Sequence, residues 1–283
     1  MTLTNLGVEN ASGGSVAPQA NGDRTVAVGN KALSNGTESV ALGESLASGA
    51  QSFAAALGNN TTSYGATGSG SIAIGDRNKT SGGYSINLGR LNTVSGANGA
   101  AAIGQSSITS GESAIALGAV ARAGGDHSCA IGRYATTGST YGKLAKASGI
   151  FGSFGDAQNG WFSLRSDTTN ATAEAMTTNN TTASATNQIV VTSDSCMTFS
   201  GTIVAMQNGA QSYGSWEIRG LLVNDGGTTT LPVFNISEIG SSGWKINLYA
   251  DNTNNALKIQ VTGEASHNIR WVANVQTAEV NYA

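Results

Sequence analysis

The sequence predicts an all-β protein with two regions, a repetitive one followed by β-structure of another kind. A four-residue motif ending in glycine recurs about every 14 residues through the first half. Glycine occurs 39 times in 283 residues, which is about twice its average frequency. Charged residues make up 11% of the chain, against roughly 25% in an ordinary globular protein. A helical enzyme would contain more leucine, glutamate and lysine.

The repeated motif is an apolar residue, alanine, a second apolar residue and glycine. Its closing glycines are separated by 14, 15, 17, 14, 15, 14 and 14 residues. A further glycine lies six or seven residues after each of them. The copies are Val26–Gly29, Val40–Gly43, Ala55–Gly58, Ile72–Gly75, Ile86–Gly89, Ala101–Gly104, Ile115–Gly118 and Cys129–Gly132.

A half-repeat of about seven residues fits one short strand and one tight turn. Four strand residues at ~3.3 Å each span about 13 Å, and the mid-repeat glycine is predicted to supply a positive φ in the turn. Two halves close one flat coil, and coils stack about 4.8 Å apart with parallel strands. Because side chains alternate across a strand, branched residues are predicted to fill the coil interior. These are Val28, Leu42, Leu57, Ile74, Leu88, Ile103, Leu117 and Ile131.

The opposite face of each strand is predicted to carry a ladder of alanines. A solvated face would more often carry threonine, lysine or glutamine, so another backbone is expected to approach closely there. The predicted contacts with a neighbouring chain are Ala41, Ala56, Ala73, Ala102, Ala116 and Ala130. The ladder alone fits a dimer as well as a trimer.

The segment Ser39-Val40-Ala41-Leu42-Gly43 and its equivalents resemble the head repeat of YadA-like trimeric adhesins, over residues 26–150. The resemblance implies a left-handed parallel β-roll, three of which pack side by side as a homotrimer. Hexapeptide helices need a period of six, and tailspike β-helices use longer coils. The calcium-binding roll needs Gly-Gly-x-Gly-x-Asp, of which only the fragment Gly124-Gly125-Asp126 occurs.

The region after residue 150 is predicted to be an antiparallel β-sandwich or jelly roll over 157–283, joined by a linker at 151–156. Five aromatic residues occur up to residue 150 and twelve after it, which favours a thicker core between two packed sheets. Ala171–Asn187 is predicted to be a surface loop. Strands are predicted at Trp161–Arg165, Ile189–Thr192, Met197–Met206, Trp216–Gly220, Leu221–Val223, Val233–Ile239, Trp244–Tyr249, Leu257–Val261 and Ile269–Val275.

This second region resembles a C-terminal module of phage and prophage tail-fibre proteins. The matching segments are Phe199-x-Gly201-x-Ile203-Val204-Ala205, Trp216-Glu217-Ile218, Trp244-Lys245-Ile246, Val261-Thr262-Gly263 and Ile269-Arg270-Trp271-Val272-Ala273. The resemblance implies a β-rich distal knob on a trimeric fibre, with no assigned chemistry. Bacterial YadA-like proteins carry a signal peptide, a coiled-coil stalk and a membrane barrel. None of these is expected from this sequence, which favours a bacteriophage protein.

Candidate catalytic groups are few. His127 and His267 are both predicted to lie in exposed turns. Glycosidase chemistry needs two carboxylates about 5–10 Å apart, and Asp225, Asp251 and Glu264 lie in loops that could converge, although their spacing does not show it. The sequence therefore predicts no enzyme, and no catalytic residue, metal ligand or cofactor.

Aromatic and loop residues supply the candidate receptor contacts. Trp216, Trp244 and Trp271 each lie on the apolar side of an alternating strand, so they are predicted to belong to the core. Receptor binding is assigned instead to the loop residues Tyr249, Asp251, Asn252 and Asn254.

Charge and cysteine content exclude several partner classes. The net charge of −3 is unlike that of a nucleic-acid-binding domain, and no run of 18 apolar residues is present for membrane insertion. Cys129 and Cys196 are 67 residues apart and are predicted to be reduced, acting as small apolar residues.

The sequence thus predicts a homotrimeric bacteriophage tail fibre, assembled in the host cytoplasm, whose distal knob binds a host surface glycan or protein. Residues 1–25 are predicted to attach it to another virion protein. A capsid decoration protein or capsid fibre is the alternative, and a polysaccharide depolymerase is a third possibility.

Overall fold

The computed structural model describes residues 5–8, 16–56, 64–96, 98–209, 212–240 and 243–282, with the backbone alone for 5–8 and 56. The chain divides into two compact units, Met1–Arg133 and Tyr134–Ala283, called here the roll and the sandwich. Within the described ranges, the regular secondary structure consists of β-strands alone, which confirms the predicted all-β class. In the same ranges no helix has the length and apolarity needed to cross a membrane.

The roll consists of long and short strands that alternate along the chain. The odd-numbered strands form one parallel sheet and the even-numbered strands form a second. Their bounds are β1 Asn5–Val8, β2 Gln19–Ala20, β3 Thr25–Val28, β4 Leu33–Ser34, β5 Val40–Gly43, β6 Leu46–Ala47, β7 Phe53–Ala56, β8 Gly65–Ala66, β9 Ile72–Ile74, β10 Lys79–Thr80, β11 Ile86–Arg90, β12 Thr93–Val94, β13 Ala101–Gln105, β14 Ile108–Thr109, β15 Ile115–Ala119, β16 Arg122–Ala123 and β17 Cys129–Arg133.

Stacked parallel coils are confirmed by the strand register. Ala102 pairs with Ala116, which in turn pairs with Ala130. Strands β1 and β2 pair with β3 and β4, so coil structure begins within residues 1–25, the segment predicted to attach the protein to another virion protein. In the third repeat, Ala54 rather than Ala56 aligns with Ala41.

The predicted assignment of the two strand faces is wrong. The ladder alanines are buried inside the single chain, with exposures of 0% for Ala102, Ala116 and Ala130. They therefore cannot contact a neighbouring chain, and the same holds for Ala41 and Ala73. The branched residues point outward and are exposed or partly exposed: Val28, Leu42, Ile74, Leu88, Ile103, Leu117 and Ile131. Leu57 and the side chain of Ala56 lie outside the described residues.

The narrowness of the coil explains this inversion. Among the described roll residues, and leaving glycine aside, every buried side chain other than Leu46 and Val94 is alanine, serine, threonine or asparagine. The interior of each coil accommodates methyl and hydroxyl groups, for example Ala116 from β15 and Ala123 from β16. Apart from Leu46 and Val94, the branched aliphatic side chains do not enter this interior, and those of the long strands occupy the outer face of their sheet.

Glycine permits the close stacking of successive coils. Gly104 has a φ of +122°, and a Cβ built on it would lie 2.0 Å from the carbonyl oxygen of Gly118. The mid-repeat glycine Gly111 would place a Cβ 2.1 Å from the oxygen of Gly125. Gly111 itself does not have a positive φ. The residue of this turn with a positive φ is Ser113, whose φ is 51°. Gly111 is therefore needed for the close approach of the next coil, whereas the mid-repeat glycines Gly65, Gly96 and Gly138 do have the positive φ that the sequence predicted.

The sandwich contains two sheets. The large sheet has the order β18-β19-β27-β22-β23-β24, and the small sheet contains β20, β26 and β21, with β25 paired to β26. Pairing from β18 onward is antiparallel. The bounds are β18 Leu144–Ala147, β19 Ala157–Thr168, β20 Ala173–Ala175, β21 Ile189–Val190, β22 Ser195–Gln207, β23 Tyr213–Asp225, β24 Thr228–Gly240, β25 Lys245–Asp251, β26 Ala256–Thr262 and β27 Ile269–Asn281.

Two details of the sandwich differ from the prediction. Trp216–Gly220 and Leu221–Val223 form one continuous strand, β23. Ala171–Asn187 is more than a surface loop, because it contains β20 and the fully buried Met176. The antiparallel sandwich itself is confirmed.

Three tryptophans form the centre of the sandwich core, as predicted. Trp271 is fully buried, and its ring lies 5.5 Å from that of Trp216 and 5.7 Å from that of Trp244. Its indole N–H donates a hydrogen bond of 3.0 Å to Thr168 Oγ1. Because its ring is packed in the core and its N–H is hydrogen-bonded within the protein, Trp271 is a packing residue.

A short turn at 151–156 is organised by one carboxylate. The backbone N–H groups of Phe151, Gly152 and Ser153 donate hydrogen bonds of 3.0, 2.6 and 2.7 Å to Asp156. Desolvation raises the pKa of Asp156, but the hydrogen bonds from Ser153, Gly152 and Phe151 together outweigh it and lower the pKa below the ordinary value.

Candidate binding surfaces

The outer face of the long-strand sheet in the roll carries two columns of apolar side chains, called here the aliphatic face. Both columns follow the parallel register from β3 to β17. The first column contains Val26, Val40, Phe53, Ile72, Ile86, Ala101, Ile115 and Cys129. The second contains Val28, Leu42, Ala55, Ile74, Leu88, Ile103, Leu117 and Ile131.

The aliphatic face is large for an exposed apolar surface. Eight strands spaced about 4.8 Å apart make it roughly 34 Å tall. Ile86, Ile115 and Leu117 are 40%, 43% and 42% exposed. No charged residue interrupts either column. Contiguous apolar patches of this extent mark interaction surfaces in soluble proteins.

The predicted receptor loop lies at the turn between β25 and β26. Tyr249 is 47% exposed there. The Asp251 carboxylate accepts hydrogen bonds from the backbone N–H groups of Thr253 and Asn254 and from the side chain of Asn254. Desolvation raises the pKa of Asp251, but the hydrogen bonds from Asn254 and Thr253 outweigh it and lower the pKa.

Asn252 in the same loop is also engaged internally. Its side-chain oxygen accepts a 2.7 Å hydrogen bond from the backbone N–H of Thr229. The structure thus brings Tyr249, Asp251, Asn252 and Asn254 together, but it uses polar atoms of the last three to close the turn and to tether it to β24. Their role in receptor binding remains a prediction.

A polar groove, which the sequence prediction missed, crosses the outer face of the large sheet. Its volume is about 480 Å³. Two rows of side chains from β27, β22, β23 and β24 lie side by side in register. The polar lining residues are Asn274, Thr202, Glu217 and Ser237 in one row, and Gln276, Ser200, Arg219 and Asn235 in the other. The alternation around Trp216 and Ile218 placed Glu217 and Arg219 outward, but it did not indicate a groove.

Two of the candidate carboxylates, Asp251 and Glu264, are not brought together. Asp251 ends β25 and Glu264 follows the opposite end of β26, whose seven residues separate the two by about 23 Å. Glu264 instead pairs with His267 at 3.0 Å. Within the described part of the chain, no three His, Cys, Asp or Glu side chains cluster in a way that could hold a metal ion.

One buried ion pair in the sandwich was not foreseen. Lys143 Nζ lies 2.7 Å from Glu279 Oε2, and both side chains are at least 90% buried. Glu279 also accepts hydrogen bonds from Gln158 and Thr277, each 2.7 Å long. Lys143 lies 5.4 Å from the centre of the Phe162 ring. Since the carboxylate is fully engaged by protein groups, the cluster is structural.

Comparison with protein families supports the repeat assignment. Residues 20–43, 66–91, 95–121 and 110–135 match the model described as the YadA head domain repeat. YadA head repeats are therefore detected within the roll. A comparison with curated proteins finds no match.

Two solved structures are among those that the chain resembles. One is the tailspike protein gp49 from Acinetobacter baumannii bacteriophage Fri1, a capsular polysaccharide depolymerase, with 10% identity and a TM-score of 0.27. The other is the Acinetobacter phage vB_ApiP_P1 tailspike protein, with 11% identity and a TM-score of 0.22. The alignments cover 96% and 91% of this chain, which spans about half (52%) of each tailspike.

Proposed function

We propose that this protein is a homotrimeric adhesive fibre of a bacteriophage virion, in which the roll is a stiff spacer and the sandwich is the knob that binds the host surface. The observation that carries the proposal is the aliphatic face on a roll built from adhesin head repeats. Attachment to another virion protein through the N-terminal segment, and assembly in the host cytoplasm, are part of the same proposal.

The energetics of the roll support the proposed self-association. A coil of 14 residues loses of order 20 kcal/mol of conformational free energy on folding, and its interior of alanine, serine and threonine buries little apolar area in return. Burying the aliphatic face against other copies removes a second apolar surface from water. A hydrophobic face without charges fits another copy of itself better than it fits a polar glycan. The three-fold number comes from the YadA resemblance.

The placement on a phage particle is supported by the sandwich sequence, which resembles tail-fibre modules at Phe199–Ala205 and Ile269–Ala273. A trimer presents each surface of the knob three times. Weak individual contacts then combine through effective concentration into firm attachment, which requires no catalytic pocket.

Light scattering of the purified chain tests the assembly. We expect a mass near three times 28.4 kDa. The double substitution Ile115→Ser and Leu117→Ser should reduce the mass to that of one chain at micromolar concentration. The matched control is Ile108→Ser, since Ile108 lies at nearly the same level of the roll on the outer face of the short-strand sheet and is 37% exposed. A single-chain mass for the unmodified protein would contradict the assembly, and dissociation by the control alone would contradict the face.

Cysteine labelling gives an independent measure of the same contact. Cys129 lies in the first column of the aliphatic face, beside Ile115, whereas Cys196 lies in the sandwich. Both are free and half-buried in the single chain. Maleimide should label Cys196 in the assembled protein but leave Cys129 unlabelled until the double substitution of Ile115 and Leu117 by serine exposes it. Equal labelling of Cys129 in both proteins would contradict the proposed interface.

Adhesion and location need separate measurements. Fluorescently labelled protein should attach to at least one strain in a panel of bacteria, and attachment should weaken in the dissociated double variant. Electron microscopy of particles carrying a gold-labelled antibody should place the protein on the tail. Labelling of the capsid would instead support the capsid fibre.

A further inference from the structure

We propose that the polar groove of the large sheet is the receptor-binding site of the knob, and that its ligand is a neutral, hydroxyl-rich oligosaccharide. This inference rests on the proposed adhesive function and assigns its site. It replaces the loop at Tyr249–Asn254, which the sequence favoured, by the outer face of β27, β22, β23 and β24.

The groove offers more side chains that are free to bond a ligand than the loop does. Among the described residues, none of the eight polar side chains that line the groove has a hydrogen-bond or ion-pair partner within the protein. In the loop, Asp251 and Asn252 already accept hydrogen bonds from Asn254 and Thr229. A ligand gains affinity from donors and acceptors that are held in place and free.

The chemistry of the lining selects the class of ligand. Three side chains are amides, three are hydroxyls, and the one carboxylate of Glu217 is balanced by the guanidinium of Arg219. A strongly anionic polymer would need an excess of cations, and a protein partner would need apolar anchors at the centre of the site. The amide and hydroxyl side chains of the groove both donate and accept hydrogen bonds without carrying charge, so they match a ligand with many hydroxyl groups.

The sheet register makes the site long and flat. Across four strands the two rows extend about 14 Å, at ~4.8 Å per strand. Ser200 lies between Gln276 and Arg219, and Asn235 follows on the edge strand. A linear oligosaccharide laid across the strands would therefore meet a polar side chain on each strand in turn.

An aromatic side chain extends the second row. Trp161 of β19 lies directly opposite Gln276 and is partly exposed on the same side of the sheet. The other three tryptophans are no more than 4% exposed. An exposed indole beside polar groups combines an apolar face with a polar edge, which suits the apolar face of a sugar ring.

Binding to an array of purified bacterial surface oligosaccharides, both neutral and acidic, tests the assignment with the full chain. We expect selective binding of neutral oligosaccharides. The double substitution Arg219→Ala and Asn235→Ala should weaken that binding at least tenfold. The matched control is Tyr249→Ala with Asn254→Ala, which changes the loop by an equal number of residues and should leave binding unchanged.

Tryptophan fluorescence reports on the same site. Adding an oligosaccharide bound on the array should change the emission of the wild-type protein, and Trp161→Phe should abolish that change because the remaining indoles are buried. Light scattering of the variant with Arg219 and Asn235 replaced should show an unchanged mass, and a smaller mass would instead identify the groove as a contact between copies.

The outcomes separate this inference from the proposed function. Loss of binding in the loop variant but not in the groove variant would contradict the groove, and so would preference for acidic oligosaccharides. Attachment to bacteria without any binding on the array would contradict the groove alone. Failure of the wild-type protein to attach to any bacterium would contradict the proposed function.

Discussion

The roll and the sandwich solve the same folding problem with opposite distributions of apolar side chains. In the sandwich the largest residues are inside, with Trp271, Phe162 and Leu164 at 0–1% exposure. In the roll the inside is filled by alanine and serine, and residues such as Leu117 are 42% exposed. The sandwich therefore buries its main apolar surface within one chain, whereas the roll leaves its main apolar surface exposed in the single chain.

The comparison shows that alternation along a strand does not by itself identify the buried face. In the sandwich, two sheets separated by large side chains have room for the bulky set. In the roll, the tightly wound coils have room mainly for the small set. The same alternating pattern around Ala116 and around Trp216 thus leads to opposite orientations of the larger side chains.

Glycine substitutions in the roll should have the largest effect. Gly104→Ala forces a Cβ to within 2.0 Å of the Gly118 oxygen at a φ of +122°. Because backbone on the next coil cannot move aside, we expect a loss of unfolding free energy of about 4 kcal/mol or more. Chemical denaturation followed by circular dichroism measures it. The control is Gly96→Ala, where φ is +68° and no atom lies within 4 Å, with an expected loss of about 1 kcal/mol. Equal effects of the two substitutions would contradict close stacking.

Removal of the central tryptophan should destabilise the sandwich to a similar or slightly smaller extent. Trp271→Ala opens a cavity between Trp216 and Trp244, for an expected loss of about 3–5 kcal/mol. Calorimetry should show the sandwich transition shifted to lower temperature and the roll transition retained. Trp161→Ala removes the same side chain from the partly exposed outer face and should cost less than about 1.5 kcal/mol. A shift of both transitions together would show that the two units do not unfold independently.

Acidification should affect the sandwich modestly through Asp156. Its pKa is lower in the folded protein than its ordinary value of 3.8, so its contribution to stability is present above that value and is lost as the pH falls through the folded pKa. We expect the unfolding free energy to be insensitive to this group between pH 8 and about 5 and to decline toward pH 3. Asp156→Asn should make the decline shallower, measured by urea denaturation across that range. Asp225→Asn, at an exposed hairpin turn, is the control, and an identical pH profile for the Asp156→Asn variant and the wild type would contradict the assigned role.

Much of the fold was accessible from local patterns. The recurrence from Val26 to Gly132 predicted stacked parallel coils, because a period near 14 leaves room for two strands and two turns. The alternation around Trp244, Leu257 and Ile269 predicted the strands of the sandwich and the burial of its tryptophans. The candidate loop was found in the predicted place, but its residue Asn252 is hydrogen-bonded to Thr229, which lies on another strand pair.

The sequence by itself determined the class of fold, the repeat, most of the strand positions and the identity of the two faces of each roll strand. Only the tertiary structure decided which face is inside, because that depends on the distance between the two sheets of a coil rather than on the order of residues. It also placed Lys143 against Glu279, and Trp161 beside Gln276. Such pairs are far apart in the sequence, and they meet because strand order in the sheet is set by packing of the whole unit, which no local periodicity records.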